Sequence, residues 1–519
     1  MISRRKVVGA LVSAPFVAKA AAQAPSRSET LLLVQEYGPN SMDMQGIGSS
    51  QPVNGVALNC YDRLIRFKPV PLSDGGGGTF NMTDFEPELA ESWQVASDGM
   101  SVTFKLKDAT FHSGRQVTAK DVKWSLDRAV AIGGFAKTQM AAGSLESPEQ
   151  FVALDDKTFR VDFVRRDKLT LPNLAVTIPF VIDSELAIKN GGDDPWAKEW
   201  LKNNVAGSGA FKTIYVRNED WKGGKLPALR RIIARDIPSP STRRALIERG
   251  DADISYGLPP KDFKDLADAG KVKVVGVPVP NALWYLALNA ATGPFVDRRL
   301  RQAVAWAMPY EKILQASMFG RGVAMWGGPE KPSTLWPQPY PYNTNIEKAK
   351  ALVSEAAPGG VKTSLIFDTG SATIAEPMAV LIKEALAPIG IDVELSKIPG
   401  ANFRGELNKK VHPMAINRFG GWLDFPDYYF FWNFHGNNSI FNISSYQSAE
   451  MDKLIDAARF TQDAAAYKSS IQAFVALAAK DAPVIPIAQP LHDVAMQKSI
   501  GGYQFWPCRE PDFRYLTKA

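Results

Sequence analysis

Residues 93–128 read WQVASDGMSVTFKLKDATFHSGRQVTAKDVKWSLDR and contain two clear local patterns. The first is an alternation of hydrophobic and polar residues, which is typical of a half-buried strand. The second begins with Thr118 and Asp121, spaced as in a helix capping box, and continues with hydrophobic residues on one helical face. The alternating residues are Val102, Phe104 and Leu106, and the helical ones are Val122, Leu126, Ala129 and Val130. These patterns predict a strand, a turn and an amphipathic helix, and they indicate nothing about function.

As a string of letters, the same stretch resembles the signature region of the family 5 extracellular solute-binding proteins. These are the dipeptide- and oligopeptide-binding proteins of ABC importers. The family pattern runs approximately S-W-x-V-S-x-D-G-x-x-Y-T-F-x-L-R and then F-H-D-G-x-P-x-T-A-x-D-V-x-x-S. The departures from it include Ser113, which replaces the Asp of F-H-D-G, and VTF, ending at Phe104, which replaces YTF.

Later segments resemble further motifs of the same family, so the resemblance runs from about residue 30 to about residue 500. They include a glycine-rich turn, a helix–Gly–strand unit, two strands that would cross between lobes, and two helices. The segments are 205–211, 242–254, 284–289, 295–303, 342–352 and 483–487.

The resemblance implies an α/β fold, namely the two-lobe clamp of type II, cluster C periplasmic binding proteins. Residues 1–24 would be a signal peptide. Lobe one would comprise residues 25–283 and 486–519, with an extra subdomain at about 60–195, and lobe two would comprise residues 284–485.

The second half of the chain independently shows alternating strand and helix patterns. Short β-rich runs occur at 365–367 and 391–395, and amphipathic helical patterns begin at Pro377 and at Met451. Strands that alternate with helices predict an α/β lobe.

Composition places the chain among globular proteins. Its 519 residues are 45% hydrophobic and 22% charged, which is enough for a sizeable core and argues against global disorder. The net charge is +6, but residues 1–24 contain four basic residues and no acids, so the remainder carries +2. Bulk charge therefore gives no support for a nucleic-acid-binding function.

The N-terminus predicts export to the periplasm. Arg4, Arg5 and Lys6 form a basic region, a short apolar stretch follows, and small residues at 20–24 offer cleavage sites. The paired arginines resemble a twin-arginine signal, although Val7 and the next residue replace the usual Phe-Leu, so this route and the ordinary secretory route both stay open. No later apolar run is long enough to predict a transmembrane helix.

Catalytic and metal-binding motifs are lacking. The four histidines show no H-E-x-x-H spacing and no G-x-S-x-G elbow occurs, so we expect neither an enzyme nor a resident metal or cofactor. His435 follows an aromatic cluster, which leaves a metal or haem-type ligand as a minor alternative. Cys60 and Cys508 either pair in an oxidising periplasm or remain two separate buried thiols.

The main candidate for a ligand site is residues 417–428, NRFGGWLDFPDY. It resembles the family motif G-W-x-x-D-Y-P-D-P, in which the first Asp of peptide-binding members pairs with the ligand's α-ammonium. The resemblance assigns that role to Asp424. Two departures affect it, because the spacing to Trp422 is one residue shorter and Tyr428 replaces the final Pro. The alternative is that Asp424 is a loop or cap residue.

Other candidate ligand contacts surround this motif. Gly421 and Trp422 belong to the motif itself, and Trp432 lies in the aromatic run that follows. Arg418 is suited to bind a ligand carboxylate through two hydrogen bonds, or else forms a surface ion pair.

Two further segments supply candidates through the resemblance. Tyr37 lies in a segment that resembles the family's first cleft loop, and Trp284 and Tyr285 lie in a predicted crossover strand. In relatives these segments contribute to the cleft between the lobes.

The resemblance implies a monomeric periplasmic receptor that closes on peptides or similar amine-bearing solutes and docks on an ABC transporter permease. A non-peptide ligand, such as an opine, a glycoside or a metal chelate, is the alternative within the same fold. A secreted hydrolase and a chaperone-like binder of unfolded chains are the alternatives from other classes.

Overall fold

The computed structural model describes residues 25–72, 77–212, 215–279, 282–325, 340–438 and 441–519. The predicted signal peptide, residues 1–24, lies outside these ranges. The strands are β1 (Thr30–Gln35), β2 (Ile65–Pro71), β3 (Gly78–Pro87), β4 (Ala90–Val95), β5 (Ser101–Leu106), β6 (Phe151–Ala153), β7 (Thr158–Asp162), β8 (Phe211–Lys212), β9 (Val216–Arg217), β10 (Arg231–Asp236), β11 (Ile254–Tyr256), β12 (Lys273–Pro278), β13 (Ala282–Leu288), β14 (Gly322–Ala324), β15 (Val361–Asp368), β16 (Ile391–Ile398), β17 (Met414–Gly420), β18 (Val484–Met496), β19 (Ile500–Gly501) and β20 (Thr517–Lys518). The helices are α1 (Val53–Cys60), α2 (Ala119–Ala131), α3 (Gly134–Ala142), α4 (Thr170–Ala175), α5 (Ser184–Asn190), α6 (Lys198–Asn203), α7 (Pro240–Arg249), α8 (Pro260–Ala269), α9 (Arg298–Ala307), α10 (Tyr310–Ala316), α11 (Ile346–Ala356), α12 (Ala372–Leu386), α13 (Gly400–Lys409), α14 (Pro426–Phe434), α15 (Ala449–Phe460) and α16 (Ala464–Asp481).

The long strand β18 joins the two halves of the main sheet. Its first residues pair with β13, and its last residues pair with β11 on one side and β12 on the other. The chain passes a second time between the halves at the step from β12 to β13. The strand order is β16-β15-β17-β13-β18-β11-β1-β10-β9-β8. Two such crossings are the connectivity that a clamp needs for its lobes to move about a hinge.

The strand and helix predicted from residues 93–128 are both present. In β5 the three hydrophobic residues are buried and alternate with more exposed ones. Helix α2 begins at a capping box in which the backbone N–H of Thr118 donates to Asp121 at 3.0 Å. These elements belong to a separate four-stranded sheet, β4-β5-β7-β6, against which α2 packs. That sheet lies within the region predicted as the extra subdomain.

The second half confirms the predicted alternation but shifts one boundary. Strands β15 and β16 are parallel and are joined by α12, as in a βαβ unit. Helix α12 begins at Ala372, before the predicted start, so Pro377 lies inside the helix rather than at its first turn. Sequence reasoning places proline at a helix start because it lacks an N–H donor, and here that preference is overridden.

The two cysteines are separate and unpaired. Cys60 and Cys508 are each buried as free thiols, and burial raises the pKa of each thiol above its usual range, to about 12 for Cys508. Of the two alternatives left open by the sequence, the structure therefore has the one without a disulfide.

Across the part of the chain that the structure describes, no helix has the length and apolar character needed to cross a bilayer.

Candidate functional site

One face of the end of β17 borders the space between the two halves of the sheet. Arg418 and Gly420 are two residues apart, so they lie on the same face, and both are exposed while Phe419 between them is buried. The neighbouring strand β13 places Trp284 directly opposite Arg418. The guanidinium of Arg418 lies over the Trp284 ring, 5.6 Å from its centroid. The strand register thus brings two of the predicted contacts together.

Arg509, in the C-terminal segment, covers the same face from the other side. Its Nη2 lies so close to the Cα of Gly420 that a methyl group at that position would overlap it. The Nε of Arg509 is buried and has no hydrogen-bond acceptor among the residues that the structure describes. Within the described residues, neither Arg418 nor Arg509 forms a salt bridge. A guanidinium group from β17 and one from the C-terminal segment therefore approach one another.

The surroundings leave both guanidinium groups poorly hydrated. Burial, followed by the positive charge of Arg418, lowers the pKa of Arg509 to about 10. Burial also lowers the pKa of Arg418, although Asp368 and Tyr37 act in the opposite direction. Arg418 is accessible to solvent because it borders open space, yet it lies deep in the protein. A poorly hydrated cation that lacks a salt-bridge partner is energetically unfavourable, so this face is suited to an anion.

Two more groups lie within electrostatic range of this pair. Tyr37 is 52% exposed. Partial burial raises its pKa, the nearby Glu36 and Glu510 raise it further, and the charge of Arg418 acts in the opposite direction. Burial, followed by the charge of Arg509, lowers the pKa of His492 to about 3, so this imidazole is neutral at physiological pH. His492 therefore adds no third positive charge.

A cavity of about 120 Å³ lies beside this face. Aromatic rings form much of its wall, and a few polar groups are set among them, which is the usual character of a small-molecule site. The amide of Asn417 donates to the Tyr285 hydroxyl at 2.8 Å, and the Nε1 of Trp432 is buried without a partner. The residues that line the cavity are Phe135, Tyr285, Arg404, Asn417, Arg418, Phe419, Gly420, Gly421, Tyr428, Trp432 and Phe441.

Four predicted contacts do not line this cavity, namely Tyr37, Trp284, Trp422 and Asp424. Trp422 is 7% exposed and packs edge-on against Phe135, with ring centroids 5.1 Å apart. Asp424 is half-buried in the loop before α14 and does not line the cavity, and its charge raises the pKa of Tyr467. Its pairing with a ligand ammonium stays a prediction.

The second acid of the motif, Asp427, is fully buried where α14 meets the predicted extra subdomain. Its Oδ1 accepts a 2.8 Å hydrogen bond from Tyr467, and Lys168 lies 3.9 Å from Oδ2. Burial raises the pKa of Asp427, and the charge of Lys168 opposes that effect. Arg459 makes a similar contact with Asp167 at 3.1 Å. These buried charges connect the two predicted lobes.

Several of these residues were not found from the sequence. Arg509, Arg404 and Phe135 belong to no motif that the resemblance supplies, and Asn417 lies in the quoted segment but was not singled out as a contact. The only available signal was that Asn417 lies beside Arg418 in the quoted segment. In the part of the chain with assigned structure, no group of three or more His, Cys, Asp or Glu side chains is placed to hold a metal ion.

Comparison with known proteins gives consistent matches. Residues 84–441 match the family described as bacterial extracellular solute-binding proteins, family 5 Middle. The chain is 29% identical over 482 residues to the "Probable D,D-dipeptide-binding periplasmic protein" of Escherichia coli, covering 89% of each chain. It is 27% identical over 492 residues to heme-binding protein A of Haemophilus influenzae, covering 87% of this chain and 85% of that protein.

A solved structure shows the same fold. It is a dipeptide-binding protein from a Pseudoalteromonas species in complex with Met-Leu, with a TM-score of 0.79 and 22% identity. The match covers 94% of this chain and 100% of that one. The prediction of a two-lobe α/β clamp is therefore confirmed, whereas the lobe boundaries stay a prediction.

Proposed function

Since the chain belongs to the bacterial extracellular solute-binding proteins of family 5, we propose that it captures short peptides in the periplasm and delivers them to the permease of an ABC importer. This is the function of a receptor and not of an enzyme, because the family binds solutes. The relatives described as dipeptide-binding support the peptide class.

The observation that carries this proposal is the unpaired guanidinium of Arg418, set over Trp284 at the edge of an aromatic cavity. A peptide C-terminus is a carboxylate, which accepts two hydrogen bonds from a guanidinium. The cavity beside it suits an apolar side chain, and the Trp432 Nε1, which has no acceptor in full hydrogen-bond geometry among the described residues, would donate to a peptide carbonyl. Asp424 is assigned to the α-ammonium in this proposal.

Binding would act by closing the clamp. We assign residues 25–283 and 486–519 to lobe one and residues 284–485 to lobe two, with the hinge at β18 and at the β12–β13 step. A ligand that touches both lobes favours the closed form because it has more contacts there. The closed monomer would then dock on the permease.

The second candidate is a non-peptide acid, such as a metal chelate with carboxylate groups. It is favoured by the position of Asp424, which does not line the cavity, while arginines border it. The similarity to heme-binding protein A supports this class. Such a ligand would use Arg418 and would not need Asp424.

The first test is mass spectrometry of small molecules released by denaturing the protein purified from its native host. Short peptides would support the main proposal, and a single non-peptide acid would favour the second. Both proposals would be contradicted if the released molecules included neither class and if calorimetry detected no binding of Met-Leu or of heme.

Calorimetry then separates the two ends of a peptide. Met-Leu, its C-terminal amide and its N-acetyl form would be titrated against the wild type, Arg418→Gln and Asp424→Asn. Loss of one partner of a buried charge pair costs roughly 3–5 kcal/mol, or about a hundred- to several-thousand-fold in affinity. We expect Arg418→Gln to weaken binding of Met-Leu far more than binding of its amide. Asp424→Asn should weaken binding of Met-Leu far more than binding of its N-acetyl form. If a variant lost as much affinity for the blocked form as for Met-Leu itself, the role assigned to that residue would be contradicted.

A further inference from the structure

We infer that Arg418 and Arg509 form one anion site divided between the two lobes, and that a carboxylate on the ligand is what permits the lobes to close. This rests on the proposed function, because it takes the space between the lobes as the ligand site. It adds Arg509 as a binding residue and gives the carboxylate a role in closure.

The geometry places the two guanidinium groups on one surface. Arg418 projects from the face of β17 that it shares with Gly420, and Arg509 lies directly against Gly420. Residues two apart on a strand are separated by roughly 7 Å along the backbone, and the charge of Arg418 acts on Arg509, so the two guanidinium groups face the same region of the cleft. The absence of a side chain at Gly420 is what allows this approach.

Arg418 and Arg509 lie on different parts of the structure. Arg418 is carried by a central strand of the second half of the sheet, next to the fully buried β13. Arg509 is carried by a turn in which its backbone N–H donates to the Trp506 carbonyl at 2.8 Å. Its φ of 60° is the left-handed conformation, which is unusual for a residue other than glycine. The segments belong to different predicted lobes, so the two guanidinium groups meet only when the lobes are together.

Nearby acids offset only part of the charge of the pair. The Asp368 carboxylate, the acid that acts on Arg418, accepts a 2.7 Å hydrogen bond from the backbone N–H of Gly370. Glu510 follows Arg509 in sequence, but burial raises its pKa to about 8, so it is largely protonated at neutral pH. It accepts a hydrogen bond from the Tyr256 hydroxyl at 3.3 Å. The surface between the lobes therefore keeps its positive charge.

Closure without a ligand then brings two like charges together in a poorly hydrated space. An anion placed between them reverses the sign of that interaction and gains hydrogen bonds from both lobes at once. Because a ligand shifts an equilibrium only through its different affinity for the two states, this pairing makes the carboxylate the group that drives closure. A ligand without a carboxylate would contact one lobe and leave the clamp open.

The test measures closure of the ligand-free protein by small-angle X-ray scattering at low ionic strength. We expect Arg509→Gln to raise the ratio of closed to open molecules about tenfold or more, because it removes the repulsion. Arg509→Lys keeps the charge and should leave the ratio near the wild-type value. Arg509→Glu places a carboxylate opposite Arg418 and should close the clamp without ligand. Arg249→Gln, at an exposed ion pair remote from the cleft, is the matched control.

The same open-to-closed distribution in the wild type, Arg509→Gln and Arg509→Glu would overturn the inference. Circular dichroism and thermal unfolding confirm that each variant is folded before it is compared. Addition of Met-Leu and of its C-terminal amide gives a second readout, in which only the acid should close the wild type. If neither compound binds any variant, the proposed function fails for this dipeptide, while the ligand-free comparison still decides the inference.

Discussion

Substitution of Gly420 by alanine would displace Arg509 without changing any charge. The position that a Cβ would take lies 2.9 Å from Cζ and 3.0 Å from Nη1 of Arg509, and it overlaps Nη2. Gly420 does not have a left-handed backbone, so alanine fits the local conformation. The conflict is with the far end of a flexible side chain, which can rotate to another rotamer. We therefore expect the free energy of unfolding to change by less than about 1 kcal/mol.

The effect on ligand binding should be larger. Displacement of Arg509 removes a hydrogen bond to a charged group, which is worth about 1.5–3 kcal/mol. This corresponds to about a 10- to 150-fold loss of affinity for an acid ligand, with little loss for its amide. Isothermal titration calorimetry measures this affinity, and thermal unfolding measures stability.

The matched control is Gly405→Ala on α13, because a Cβ there would meet no atom within 4 Å. A glycine-to-alanine change inside a helix stabilises by roughly 0.5–1 kcal/mol, and we expect no change in binding. If Gly420→Ala bound the acid ligand as tightly as the Gly405→Ala control, Arg509 would not be part of the ligand site.

Two further predictions concern the stability and the thiols of the predicted lobe one. Glu88→Gln should lower the free energy of unfolding by about 3–5 kcal/mol, because it leaves Arg63, at 2.8 Å from the carboxylate, without its buried partner. It also removes one of the two buried carboxylates that Arg514 contacts, the other being Asp512. Burial alone would raise the pKa of Glu88, but these two guanidinium groups hold it well below its ordinary value of 4.5. Its contribution is therefore fully present above about pH 4.5 and is lost as the pH falls below that value, which denaturant titrations between pH 3 and pH 7 would measure. Cys60 and Cys508 should react with a thiol reagent only after unfolding, and a reductant should leave the melting temperature unchanged, because they form no disulfide.

Each of these two predictions has a clear control. Glu86→Gln breaks the partly exposed pair with Arg66 at 3.1 Å and should cost less than about 1 kcal/mol. An equal loss in both glutamine variants would show that burial does not govern the strength of these pairs. A reductant-sensitive melting temperature would contradict the unpaired thiols.

The local elements could be predicted because their causes lie within a few residues. The alternation at Val102, Phe104 and Leu106 produces β5, and the capping box of Thr118 and Asp121 starts α2. Gly250 ends α7 in the left-handed conformation that glycine adopts most readily. The start of α12 was wrong because packing kept Pro377 within the helix, and packing is not a local property.

The site was partly predictable. The motif resemblance located Arg418 and Gly421, and the crossover strand located Trp284 and Tyr285, which the β13–β17 register brings beside them. Asp424, however, does not line the cavity, although the motif assigns it the ammonium.

The sequence by itself therefore predicted the class of the protein and its local elements, because periodicity, capping and family motifs are each contained in short segments. The convergence of Arg509 with Arg418 was decided only by the tertiary structure. The two residues are far apart in the chain, and their approach depends on the register of β13 and β17, on the missing side chain of Gly420 and on the turn at Trp506. Electrostatic interaction depends on distance in space and on hydration, and neither quantity is written in a local pattern of residues.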